Sequence, residues 1–327
     1  MFKTLTDGGT IAPSSLATQL LDYYQLTKPR LIFLFLITTA ASMWVASHGI
    51  IHIDSFCITL LTGALAAGSA NTVNCLYDRD IDAIMERTST RPLPAGRVQP
   101  WQAAVFAIAL ALIAFSLQTY CVNVLSAGLE MAGIAVYILV YTYWLKRSSP
   151  QNIVIGGAAG AIPPLVGWAA ATGELSGAAW VLFAIIFVWT PPHFWPLALM
   201  IEEEYAKVNI PMLPVVSGAQ VTAWQTFCYT LLLLPVSLLL VYPFGASGLL
   251  YGAIALVLGS GFIAKAWKLT QTPEDKAIAR EVFKFSISYM MLLCLGLTLD
   301  SLPVAHTWVA QLSQPIQAFV SGMPVFQ

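Results

Sequence analysis

Long apolar runs alternate with short polar connections along the whole chain, at roughly 31–48, 54–74, 101–120, 127–145, 152–172, 178–199, 219–241, 247–266 and 284–302. A helix needs ~20 predominantly apolar residues to cross the ~30 Å hydrocarbon layer of a bilayer, and each run is about that long. The pattern predicts an all-α fold, a polytopic membrane bundle of nine transmembrane helices. Residues 1–30 lack the apolar core of a cleaved leader and hold Asp7, Asp22, Lys28 and Arg30, so the first run is expected to remain as an anchor. The chain accordingly divides into an N-terminal tail (1–30), an intramembrane domain (31–302) and a C-terminal tail (303–327).

Composition sharpens this. Of 327 residues 58% are hydrophobic and 9% charged, against roughly 25% charged in a soluble domain. A net charge of −1 gives no reason to expect a nucleic-acid partner, and in a membrane protein the placement of charge matters more than its sum. With a cytoplasmic N-terminus, all fifteen Lys and Arg fall on the cytoplasmic side. That segregation follows the positive-inside rule and predicts a multi-pass protein of the cell inner membrane, with an odd number of spans and the C-terminus outside. The five cysteines are scattered singly, without the spacing of a disulfide framework or zinc site, and read as packing residues.

The long connections lie on the basic side, so chemistry is expected there. In "NTVNCLYDRDIDAIMERTSTRPLPAGR" (71–97), Asn74, Asp78 and Asp82 are spaced i, i+4, i+8. Steps of four keep side chains on one helical face, giving an oxygen-bearing stripe about 12 Å long at ~1.5 Å per residue. With no Lys or Arg interleaved on that face, the stripe calls for a cation. Mg2+ suits it, because this hard ion takes one or two carboxylates and leaves its other positions to water and substrate phosphates. Asp80 points off the stripe and is expected to tolerate substitution best. Arg87, Arg91 and Arg97 follow it, and Lys146 and Arg147 close the fourth run. Guanidinium forks and ammonium groups are what a diphosphate needs, and "RPLPAG" is stiffened by its prolines; Arg97 and Lys265 read better as topology signals.

The second long connection, "TPPHFWPLALMIEEEYAKVNIPMLPVV" (190–216), brings His193, then Glu202, Glu203, Glu204, Tyr205 and Lys207. Three consecutive glutamates cannot share a helix face, so one or two at most point into a site. His48 and His52 could share a face at the outer end of the first run, but without third and fourth ligands an interfacial role is expected. His306 lies beyond the last run. In "NIVIGGAAGAIPPLVGWAAATG" (152–173) small residues predict close helix packing, and Pro163-Pro164 a kink or a broken, cavity-lining helix.

Asn74, Asp78 and Asp82 match N-x-x-x-D-x-x-x-D, the first motif of the UbiA superfamily of intramembrane prenyltransferases, which the chain resembles from about Tyr24 to Tyr289. "LTKPRLI", "NCLYDRDIDAIMERTSTRPLP", "YTYWLKRSSPQNIVIGGAAGAIPPLVGWAAATG", "TPPHFWPLAL" and "NIPMLPVV" resemble its haem-modifying branch. The glutamates at 202–204, where many members carry an aspartate-rich second motif, fit that branch. The resemblance implies Mg2+ held by Asn74, Asp78 and Asp82, farnesyl diphosphate as donor, and haem B as acceptor and substrate rather than cofactor. It implies that Arg91, Lys146 and Arg147 assist the leaving group, with Arg87, Glu203, Glu204, Tyr205 and Lys207 at the substrate site. His193 would then meet the haem iron, a propionate or the quenching water, and Tyr77, Trp189, Trp195 or Tyr205 the allylic cation. A haem A synthase or terminal oxidase assembly factors are the implied partners. A prenyltransferase for an aromatic quinone precursor and a membrane transporter are the alternatives; carboxylates at helix ends rather than the midplane weigh against transport.

Overall fold

The computed structural model describes residues 16–302; the first half of the N-terminal tail and the whole C-terminal tail, with His306, lie outside them. A short helix α1 (Leu16–Leu26) precedes the bundle. The spans are α2 (Pro29–Ala46), α3 (Ile53–Tyr77), α5 (Pro100–Cys121), α6 (Val124–Ala135) continued by a π segment (Val136–Leu145), α7 (Asn152–Thr172), α8 (Gly177–Met200), α10 (Leu213–Leu238), α11 (Leu249–Gln271) and α12 (Lys276–Asp300). Among the described residues these nine are long and apolar enough to cross a membrane, as the hydropathy pattern predicts. Two short helices, α4 (Arg79–Ile84) and α9 (Glu202–Lys207), sit in the connections after α3 and α8, at the basic end of the bundle.

Helices α7 and α8 form the enclosed centre, with α2 against α7 and with α10 and α12 against α8, while α5 and α6 stand at the periphery beside α3. The small residues of α7 explain its position. Gly156 lies under Tyr141, Gly157 under Thr190, and Gly167 against the backbone of Thr39. Without a hydrophobic effect between helices in lipid, such close approach supplies the dispersion contact that holds them together. Of the two readings of Pro163-Pro164, packing prevails, since α7 runs unbroken through both prolines. Their carbonyls are tied to α2: Ser42 Oγ donates to Pro164 O at 2.6 Å and Thr39 Oγ1 to Pro163 O at 3.3 Å.

The peripheral helices are held by polar contacts. Thr62 Oγ1 on α3 lies 2.8 Å from Gln118 Oε1 on α5 and 2.8 Å from Glu130 Oε1 on α6, and Gln118 Nε2 donates to Ser126 Oγ at 2.8 Å. Buried polar groups in a bilayer have no water to turn to, so satisfying one another fixes the helices' register.

Two spans begin earlier than their apolar runs. Helix α10 starts at Leu213 because a short turn joins it across Gly218, whose φ of 79° is a conformation glycine adopts without strain. Helix α12 starts at Lys276, capped by Asp275, whose side chain accepts from Ala277 N at 2.8 Å. Its first two turns are charged and therefore invisible to a hydropathy reading. At the opposite end, buried Asp300 of α12 accepts from the backbone of Gly248 and from Tyr251 N at 3.3 Å, capping α11 from outside its own sequence. Asp300→Ala is expected to cost about 1–2 kcal/mol, read as a lower thermal midpoint of the purified protein; an unchanged midpoint would remove this capping role.

Candidate functional site

Helix α3 ends at Asp78, yet the chain does not lose its helical step there. Asp78 N donates to Asn74 O at 2.9 Å and Asp82 N to Asp78 O at 2.8 Å, so the stripe continues into α4. Asn74, Asp78 and Asp82 are all buried, at 3%, 2% and 4% exposure. Burying carboxylates requires compensation, and here it comes from Arg91, Lys146 and Arg147, while Lys28 meets the Asn74 amide. Lys28 Nζ donates to Asn74 Oδ1 at 2.6 Å, Lys146 Nζ pairs with Asp78 Oδ2, and Arg91 Nη1 donates to Asp82 Oδ2 at 2.7 Å. Arg147 Nη2 lies 3.7 Å from Asp78 Oδ1. Arg79, the one cation between these residues in sequence, is off the stripe's helical face, but tertiary structure supplies a cation to each member.

Local structure aims these groups. The π segment widens the helix before Lys146, whose N–H bonds to Tyr141 O at 2.8 Å; such π insertions recur at functional sites. Arg147 lies 4.8 Å above the Tyr77 ring, and Tyr137 stacks on Tyr141 at 5.4 Å. Lys28 takes a left-handed conformation (φ 53°) immediately before Pro29, turning α1 into α2 and bringing its ammonium to Asn74. In sequence Lys28 reads as a topology residue, and its place in "LTKPRLI" is its one further signal. Neither charge nor spacing marks Thr142, which accepts from Asn74 Nδ2 at 3.1 Å, or Asn152, whose Oδ1 is buried without a partner.

Asp80 is not a bystander. It accepts two bonds from Arg147, at 2.7 and 2.8 Å, while Arg147 Nη2 also donates to Tyr77 O at 3.1 Å. The guanidinium holds the Asp80 carboxyl down at about pKa 2. Because Asp80 is largely exposed, solvent screens the pair and its worth lies in orienting Arg147. Asp80→Asn is expected to raise the KM for the anionic substrate several-fold and to leave kcat within about twofold, as expected for loss of ground-state binding alone. An unchanged KM would return Asp80 to the tolerant role that its helical phase suggests.

The second connection folds over the first. Ile210, Met212 and Leu213 share one apolar cluster with Ile81, Ile153, Trp195 and Ala198. Tyr205 on α9 meets the charges of both loops: burial pushes its phenol up, Arg87 and Arg91 oppose the rise, and Glu204 and Asp78 add to it. Arg91 pairs with Asp82 of the stripe, Tyr205 packs against the apolar cluster that holds Ile81, and Arg87 is exposed. Glu203 is turned away, exposed and 3.2 Å from Lys276 Nζ, and Lys207 is exposed at the end of α9. Arg97 pairs with Asp22 of α1 at 2.9 Å and Lys265 with Glu281, both away from the stripe. His193 also stands apart, packed against α12 with Nδ1 2.7 Å from Ser286 Oγ. His48 and His52 are exposed at the far end of the bundle.

Several polar atoms here are buried without a hydrogen-bond partner: Asp78 Oδ1, Asn152 Oδ1, Glu204 Oε2 and Arg147 Nε. Among the described residues no three His, Cys, Asp or Glu form a metal cluster. The Asp78 and Asp82 carboxylates and the Asn74 amide oxygen do not make an all-protein cage. They fit Mg2+, which keeps positions for water and phosphate, and the surrounding cations fit a polyanion.

A nine-helix bundle that gathers an acidic stripe and its cations at one end has the architecture of an intramembrane prenyltransferase. The chain belongs to the UbiA prenyltransferase family, whose profile matches residues 35–288. It is 73% identical over 306 residues to a protoheme IX farnesyltransferase from Cyanothece sp. (strain PCC 7425), covering 94% of each chain. Its fold is similar to that of a digeranylgeranylglyceryl phosphate synthase (TM-score 0.73, 19% identity, 87% of this chain and 99% of the other). It is also similar to a UbiA homologue from Archaeoglobus fulgidus with DMAPP and Mg2+ bound (TM-score 0.60, 17% identity, 85% and 99%).

Proposed function

We propose that this protein transfers the farnesyl group of farnesyl diphosphate to a vinyl group of haem B, with hydration, giving haem O. The observation that carries the acceptor is the 73% identity, over nearly the whole of both chains, to a protoheme IX farnesyltransferase. The buried stripe with its cations supplies the donor half, since a diphosphate needs both a metal and basic side chains. We place the basic end at the cytoplasmic face of the inner membrane, where the excess of Lys and Arg belongs.

Asn74, Asp78 and Asp82 would hold Mg2+, an ion that the UbiA homologue from Archaeoglobus fulgidus binds together with DMAPP. When bound, the ion supplies charge neutralisation to the diphosphate. Lys146 and Arg91, which in this structure pair with the carboxylates, are the groups placed to turn to phosphate oxygens, and Arg147, oriented by Asp80, adds a third donor. Preorganised positive charge opposite a departing anion is the main rate-raising effect available. The allylic C–O bond breaks and its electron pair leaves with the diphosphate. The vinyl π electrons bond to the farnesyl C1, and the resulting cation beside the pyrrole takes up water and releases a proton, leaving a hydroxyethylfarnesyl group. Tyr77, under Arg147, and the stacked Tyr137 and Tyr141 are the rings that would offer π density to the allylic cation.

Incubation of the purified protein with farnesyl diphosphate, Mg2+ and haem B is expected to give a pigment heavier by farnesyl plus hydroxyl. Chelation should abolish turnover and added Mg2+ restore it. Haem left untouched while 4-hydroxybenzoate is prenylated would overturn the acceptor, and donor left intact under all conditions would overturn the transferase reading.

A further inference from the structure

His193 is gripped on three sides. Its ring lies between Trp189 (centroids 4.3 Å apart, 15° between planes) and Phe283 (4.9 Å, 25°), with the edge of Phe194 at 4.9 Å. The hydrogen bonds decide which nitrogen carries the proton. Ser286 Oγ donates its single hydrogen to Phe283 O at 2.6 Å, so the 2.7 Å contact to His193 Nδ1 needs the proton on the histidine. If Ser286 instead donated to Nδ1, two oxygen lone pairs would face each other at 2.6 Å. Trp189 Nε1 donates to Ser286 O at 2.9 Å and holds the acceptor in place. Nδ1 is thus the N–H, and Nε2 keeps its lone pair, with no partner among the described residues. A neutral imidazole that donates through one nitrogen to a neighbouring side chain, with the other nitrogen bare, is the form in which histidine ligates metal.

None of the contacts of His193 reaches the acidic stripe. A neutral imidazole held in one tautomer within an aromatic clamp, with one nitrogen bare, fits the iron of a flat porphyrin whose ring edge meets apolar rings. We infer that the face shared by α8 and α12 seats the haem acceptor, with His193 Nε2 as axial ligand to its iron. This rests on haem B being the acceptor; it assigns His193 to anchoring the substrate and leaves the quenching proton to other groups.

The full-length protein in detergent, titrated with haem B, is expected to show a histidine-ligated absorption and EPR spectrum. His193→Gly should lose that signature and recover it with added imidazole, a rescue that a structural defect would not show. Ser286→Ala, which frees Nδ1, should weaken haem binding by about tenfold and leave the KM for farnesyl diphosphate unchanged. In the wild type, iron haem should outcompete metal-free protoporphyrin IX. A wild-type spectrum retained in His193→Gly, or equal affinity for haem and the metal-free porphyrin, would overturn the ligation while haem O formation still stood. A wild type that binds no haem would overturn both readings.

Discussion

Asp78→Asn is expected to lower turnover by at least about 10²–10³-fold, the scale seen when one preorganised electrostatic group is removed from a transition state. Asp78 lies on the stripe at the junction of α3 and α4, and it pairs with Lys146 at the end of the π segment. One of its carboxylate oxygens pairs with Lys146, while the other is buried with no hydrogen-bond partner. Asparagine keeps the size and one oxygen but loses the charge that binds a divalent cation and balances Lys146. The loss should therefore fall in kcat, with Mg2+ at any concentration failing to restore it. Some stability should also be lost, because Lys146 is mostly buried and gives up its counter-charge. Asparagine's remaining oxygen can still accept from Lys146, so helical content and purification yield should stay near wild type. Full activity in this variant would remove Asp78 from the site.

The largest structural effect is expected at Gly167. A methyl group there would overlap the Thr39 carbonyl oxygen, with the carbonyl carbon at 3.1 Å and Met43 Cγ at 3.3 Å. The obstacle is backbone, so no rotamer change relieves it, and α2 and α7 must separate. That separation would also stretch the bonds from Ser42 and Thr39 to the Pro164 and Pro163 carbonyls. Overpacking of this kind costs about 1–3 kcal/mol or more, so Gly167→Ala should sharply reduce folded yield and thermal midpoint. Gly128→Ala is the control: the same substitution in α6 meets nothing within 4 Å and should be neutral or slightly stabilising. Equal behaviour of the two variants would rule out close α2–α7 contact as the cause.

Much of the site was legible in the chain, because its acidic half is local. Asn74, Asp78 and Asp82 follow helical periodicity, and a stripe four residues in pitch survives even the bend at Asp78. The basic half was legible as composition but not as pairing. Arg91 is nine residues from Asp82, but Lys28 is 46 from Asn74 and Lys146 is 68 from Asp78. Asp80 shows the same limit from the other direction: its helical phase marks it as off the stripe, and only the approach of Arg147 gives it a task. Glu203 and Glu204 are neighbours with equal claims in sequence, separated only by which way α9 turns once Tyr205 docks over the first loop.

The nine apolar spans, the basic end and the acidic stripe are readable from the chain, because each depends on hydropathy or periodicity within a single helix. Which cation meets which carboxylate, which glutamate is turned out to Lys276, and which nitrogen of His193 stays bare follow from packing between helices. Those outcomes depend on side chains 9 to 93 residues apart being brought within hydrogen-bond reach. That proximity is set by how small residues let α2, α7 and α8 pack, which no one helix encodes alone.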